Sequence, residues 1–115
     1  MEEKAKFQHS INHTKTVLVD FYTDWCGPCQ AMSPILKEVA ETFGEELCIV
    51  KLKANEYPLM IAKYEISTLP AFLLFNKGVL QWRYTGMVSA YHLEQVINKI
   101  LKPTCHITVI MKEQD

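Results

Sequence analysis

The run Thr16 to Tyr22, TVLVDFY, constrains this chain most. It is almost continuously apolar and β-branched, with no alternation of polar and apolar positions. A strand reads this way when both of its faces are covered, as in a sheet with helices on either side. Asp20 interrupts the run, and a carboxylate there has to be explained. Further on, Met32, Ile35, Leu36, Val39, Ala40 and Phe43 recur at the i, i+3, i+4, i+7 spacing of an amphipathic helix. Gly44 is its natural stop. Pro34 lies inside it, removes a backbone donor, and is expected to bend the axis. Leu47 to Lys53 then reads as a second strand. Two strands flanking a helix are expected to be parallel, with a right-handed crossover.

The remaining elements follow from similar signals. Phe7 and Ile11 lie at helical spacing within residues 2–13 and predict a short helix. Pro58 opens another, running to about Lys63. Ala71 to Phe75 is a third apolar strand. Asn76-Lys77-Gly78 is a turn, and Val79 to Tyr84 returns as a fourth strand, antiparallel to the third and ended by Gly86. Ser89 caps a last helix with the stripe Leu93, Val96, Ile97, Ile100 and Leu101. Lys99 and Lys102 suit the end of its dipole, and Pro103 stops it. The order α-β-α-β-α-β-β-α predicts an α/β fold: a mixed central sheet of about four to five strands, flanked by helices on both faces.

The formal net charge is −1, and 22% of the 115 residues are charged. This balance offers no electrostatic footprint for nucleic acid or for an acidic membrane surface. No apolar run approaches a membrane span, and Met1-Glu2-Glu3-Lys4 does not read as a secretory signal, so the expected compartment is the cytoplasm. Of the four cysteines, only Cys26 and Cys29 are close in sequence. In a reducing compartment one tight pair points to redox chemistry or to metal more than to a structural staple.

The pair lies in Trp25-Cys26-Gly27-Pro28-Cys29, between the covered strand and the amphipathic helix. At this spacing an intramolecular disulfide is feasible. The free N–H groups and positive dipole end of a helix N-terminus stabilise a thiolate, the nucleophile of disulfide exchange. Cys26, closer to that end, is the expected attacker, and Cys29, one turn inward, the resolving group. Asp20 faces a desolvation penalty that raises its pKa and suits it to pass protons near neutral pH.

VLVDFYTDWCGPCQAMSPIL, STLPAFLLFNKG and YTGM together resemble the thioredoxin family over about residues 5–101. The resemblance implies the thioredoxin fold and a protein-disulfide reductase. In it, Asp20 lies beneath the disulfide and assists Cys29, and Lys51 lies near Asp20 and tunes it. Thr68-Leu69-Pro70 forms the loop with a cis-proline that pairs with client backbone. Gly27, Pro28 and Pro70 modulate the redox pair, and Trp25, Thr68, Leu69, Gly86 and Met87 receive the client. The implied partners are disulfide-containing client proteins and a thioredoxin reductase. No cofactor beyond the Cys26–Cys29 couple is implied.

The chain departs from the family at both ends. The first strand that thioredoxins carry is expected to be missing or nearly so. Residues 1–102 are read as the thioredoxin domain and 103–115 as an extension. Thr104 to Met111 reads as an extra strand, added to its own sheet or to a neighbour's, so a monomer or a tail-mediated dimer is expected. Cys26, Cys29, Cys105 and His106 contain ligand types for zinc, although no metal is expected here. A non-catalytic interaction module is the other alternative. Cys48 is expected to be buried and unreactive, His9, His13 and His92 to lie at the surface, and Trp82 on a sheet face.

Overall fold

The structure, a computed structural model, describes residues 2–12 and 15–102. The covered run forms strand β1 (Thr16–Tyr22), which lies inside the sheet. It pairs in parallel with β2 (Leu47–Lys53) and antiparallel with β3 (Ala71–Asn76). β4 (Val79–Thr85) adds to β3 through a hairpin in which Lys77 and Gly78 take φ of +53° and +82°. The order is β2-β1-β3-β4, so four strands form the sheet among the described residues, and none precedes β1. β2 is therefore an edge strand. The expected strand in 104–111, together with His13, Cys105 and His106, lies outside the described residues.

Five helices cover the sheet: α1 (Glu2–Ile11), α2 (Gly27–Ala31), α3 (Ser33–Phe43), α4 (Pro58–Lys63) and α5 (Ala90–Leu101). Side chains alternate across β1, and each face builds its own core. Val17, Val19 and Phe21 pack with Phe7 and Ile11 of α1, Met60 of α4, and Leu73 and Phe75 of β3. Leu18 packs on the opposite face with Met32, with Leu36, Val39 and Phe43 of α3, and with Leu93 and Ile97 of α5. By the same alternation Asp20 falls on the α3 face, and it is buried there with 1% of its surface exposed.

Phe7 anchors α1. Its ring is fully buried, 6.2 Å from Phe21 and 5.9 Å from Phe75 between centroids. Burying such a ring contributes roughly 2–3 kcal/mol, which a weakly amphipathic ten-residue helix needs in order to persist. α1 also reaches α4 directly. Glu3 Oε2 accepts the Met60 backbone N–H at 2.8 Å, and α4 has no side-chain cap of its own from Tyr57.

The helix after the cysteines differs from the sequence reading. It begins earlier, at Gly27, and is interrupted at Met32 to give α2 and α3. Pro34 has no N–H for the Gln30 carbonyl, so the helical ladder lapses one turn before it. The Met32 N–H is shared between the Pro28 and Cys29 carbonyls, both at 3.2 Å. The stop at Gly44 (φ +55°) and the Ser89 cap, whose Oγ accepts the His92 N–H at 3.0 Å, are as expected. Cys48 differs, being half-buried on the edge strand rather than enclosed.

Candidate active site

β1 ends at Tyr22, and the chain turns through Thr23, Asp24 and Trp25 to reach α2. Two polar contacts shape this turn. Gln30 Nε2 donates to the Asp24 carbonyl at 2.9 Å, and Lys53 Nζ forms an ion pair with Asp24 at 3.1 Å. Cys26 sits at the N-cap of α2 in extended conformation, and Pro28 occupies the first turn, where its missing N–H is not needed. Cys26 and Cys29 are joined as a disulfide, with Cα atoms 5.2 Å apart.

The Cys29 backbone N–H donates to Cys26 Sγ at 3.2 Å. Here the sulfur does the work of a capping oxygen. On reduction the same N–H and the helix dipole would face a Cys26 thiolate, and both favour its charge. The two sulfurs differ in access. Cys26 is half-buried, whereas Cys29 is 5% exposed. A large external disulfide can therefore meet Cys26 but not Cys29.

Asp20 stands opposite Lys51 of β2 in register, with Phe72 of β3 on its other side. Neither carboxylate oxygen has a hydrogen-bond partner. Burial pushes its pKa up from 3.8 to about 6, and the Lys51 ammonium offsets part of that rise. Cys29 and Lys51 line a crevice of about 130 Å³ together with Tyr22, Thr23, Asp24, Gln30 and Ser33. The ammonium of Lys51 lies over the Tyr22 ring, 5.4 Å from its centroid. Tyr22, Gln30 and Ser33 were not marked by the sequence reading. The period of two that puts Asp20 on the α3 face puts Tyr22 there as well, and that signal could have found it.

The Leu69–Pro70 peptide bond is cis. Pro70 is buried, Leu69 half-buried and Thr68 exposed. The Pro70 carbonyl accepts the Gly86 N–H at 2.7 Å, which ties this loop to the end of β4; Gly86 has φ of +95°, a conformation glycine adopts without strain. Trp25 (80% exposed) and Met87 (48%) leave apolar surface open to solvent. Trp82 is half-buried on its sheet face and stacks with Tyr84, and the exposed His92 packs against both rings. His9 is exposed. Among the described residues no group of His, Cys, Asp and Glu side chains has the makings of a metal site, and no helix is long and apolar enough to cross a membrane.

The profile of the family described as Thioredoxin matches residues 1–99. Thioredoxin Y2, chloroplastic, of Arabidopsis thaliana is 46% identical over 91 residues, covering 79% of this chain and 54% of that protein. Thioredoxin of Buchnera aphidicola subsp. Baizongia pistaciae is 35% identical over 95 residues, covering 83% and 87%. The chain thus spans about half the length of the plant relatives that it matches. Among solved structures, oxidised mitochondrial thioredoxin 3 of Saccharomyces cerevisiae superposes with a TM-score of 0.74 at 28% identity, covering 84% of this chain and 89% of that one. Profile, relatives, sheet order and cysteine geometry agree, and the chain belongs to the thioredoxin family.

Proposed function

We propose that this protein reduces disulfide bonds in client proteins through the Cys26–Cys29 couple. The observation that carries the reading is the capped, half-exposed Cys26 sulfur bonded to an enclosed Cys29 at a helix N-terminus. In the first step the Cys26 thiolate attacks one sulfur of the client disulfide. That S–S bond breaks, one client sulfur leaves as a thiolate and takes up a proton, and Cys26 is left in a mixed disulfide. In the second step Asp20 accepts the proton of Cys29, whose sulfur attacks Cys26 Sγ. The second client thiolate leaves, and two electrons have passed to the client. A thioredoxin reductase returns the couple to the dithiol, and no bound cofactor is needed.

The accessory roles rest on geometry and on the family pattern. Asp20 has a carboxylate that is buried, unpartnered and close to half-ionised at mildly acidic pH. Lys51 adjusts its charge. Gly27 and Pro28 form the exposed turn between the sulfurs, and Pro70 underlies the client-facing loop. Trp25, Thr68, Leu69, Gly86 and Met87 are the surface that an extended client segment would cover, an arrangement suited to backbone pairing beside apolar contact. Residues 1–102 act as the domain. The outer edge of β2 is where a strand from 104–111, of the same chain or of a neighbour, would add. A concentration series in size-exclusion chromatography distinguishes monomer from dimer.

The activity requires a compartment that keeps thiols reduced. The cytoplasm expected from the sequence is one, and two Arabidopsis relatives carry "chloroplastic" in their names. Fractionation of the source cells decides. The activity itself is tested by insulin reduction with dithiothreitol. Strong catalysis that vanishes in Cys26→Ser supports the reductase. An inactive wild type would favour an interaction module instead.

A further inference from the structure

We propose that Tyr22 is a positioning residue, whose ring face holds the Lys51 ammonium and keeps it from closing onto the Asp20 carboxylate. This rests on the reading of Asp20 as proton acceptor for Cys29 and adds a residue to it.

Asp20, Tyr22 and Lys51 share one face of the sheet. Asp20 and Tyr22 are two residues apart on β1, and Lys51 is the register partner of Asp20 on β2. A lysine so placed would ordinarily be expected to pair with the carboxylate. Its four-carbon stem is flexible and its head carries three donors, and a buried carboxylate with no partner is the strongest acceptor it could find. The pair does not form. Both Asp20 oxygens are without a hydrogen bond, and the ammonium lies instead 5.4 Å from the Tyr22 centroid. That distance is within the range over which an aromatic face attracts a cation. The other nearby cation, Lys53, is taken by Asp24 at 3.1 Å.

The arrangement has a chemical consequence. An ammonium at a distance lowers the energy of the Asp20 carboxylate a little, so it can ionise at working pH. An ammonium in contact would hold the carboxylate charged and strip it of basicity. Tyr22 thus separates a tuned base from a neutralised one. The groups that face Asp20 are few. Lys51 comes from β2 and Cys29 from α2, whereas Phe72 of β3, Met32, Leu36 of α3, and Leu93 and Ile97 of α5 carry no charge.

The test is the titration of the Asp20 carboxyl carbon by NMR, together with the pH dependence of mixed-disulfide resolution. In Tyr22→Leu the Asp20 inflection should fall by about one pH unit or more, as for a carboxylate gaining a contact cation. Resolution near neutral pH should slow by up to about tenfold, since the acceptor is then a weaker base. Tyr22→Phe keeps the ring face and should keep both values. Pentafluorophenylalanine at position 22 keeps the shape but inverts the ring's polarity, and it should behave like leucine even if Tyr22→Leu folds poorly. Lys51→Gln combined with Tyr22→Leu should abolish the fall. The proposal is overturned if the inflection stays in place in both ring variants, or if it falls equally without Lys51. Asp20→Asn checks the underlying reading separately. If it resolves the mixed disulfide as fast as wild type, the acceptor role fails, whatever Tyr22 does to the titration.

Discussion

Replacing Asp20 by asparagine should make the oxidised protein more stable at neutral pH and leave it nearly unchanged in acid. The carboxyl titrates at about 6 in the folded chain and at 3.8 when unfolded. Below the lower value both states hold the proton and the group contributes nothing. As the pH rises from about 3.8 to about 6, the unfolded chain releases its proton while the folded chain retains it, so stability falls through that window. Above about 6 the penalty is complete. Its size is the separation of the two values at about 1.4 kcal/mol per pH unit, or about 3 kcal/mol. Asparagine nearly matches the shape and cannot ionise. For a domain of this size the gain corresponds to a rise in melting temperature of about 10 °C. Urea unfolding of both proteins, followed by circular dichroism at several pH values, measures the gap directly. It should widen from near zero at about pH 3.5 to about 3 kcal/mol at about pH 7.5, with the same denaturant slope. A gap that does not change with pH would refute the reasoning, because the effect would then be packing and not the ionisation of a buried acid.

Three further outcomes are expected. Resolution of the mixed disulfide by wild type should slow as pH falls through about 6, where Asp20 takes up its proton; stopped-flow measurements on Asp20→Asn should show slower resolution without that inflection. Glu3→Ala removes the external cap of α4 and should lower stability by about 1 kcal/mol, with Glu3→Gln recovering part of the loss in thermal melts. Phe7→Ala leaves a void between Phe21 and Phe75 and should cost roughly 3–5 kcal/mol in denaturant unfolding.

The sequence disclosed the elements whose signal is local. TVLVDFY could only be a strand covered twice, and the same fact forced Asp20 into the interior, where the structure has it. The Ser89 cap and the stop at Gly44 depend on neighbouring residues and were equally plain. Pro34 announced a disturbance of the helix but not its place, since the break depends on which carbonyl goes unpaired and how Met32 shares its N–H. Long-range contacts left no mark. Nothing in Glu3 announces that it will cap a helix beginning at Pro58, and nothing in Tyr22 shows that Lys51 will rest on its ring. Lys51 and Pro70 were named only through the family resemblance. Their importance comes from what the fold brings beside them, and neither composition nor periodicity encodes that.

The contact between Glu3 and Met60 bears on how the protein opens. α4 has six residues, too few to hold a helix unaided. It persists because α1 closes one end and the cluster around Phe7 receives its inner side. α1, α4 and the segment leading on to Leu69–Pro70 therefore form one cooperative unit that detaches together, while β1, β3 and α3 stay folded. Amides of α1 and α4 should exchange with solvent at a common opening free energy, lower than that of β1. The N-terminal helix, on the far side of the sheet from α3, thereby helps decide how firmly the loop that meets a client is held.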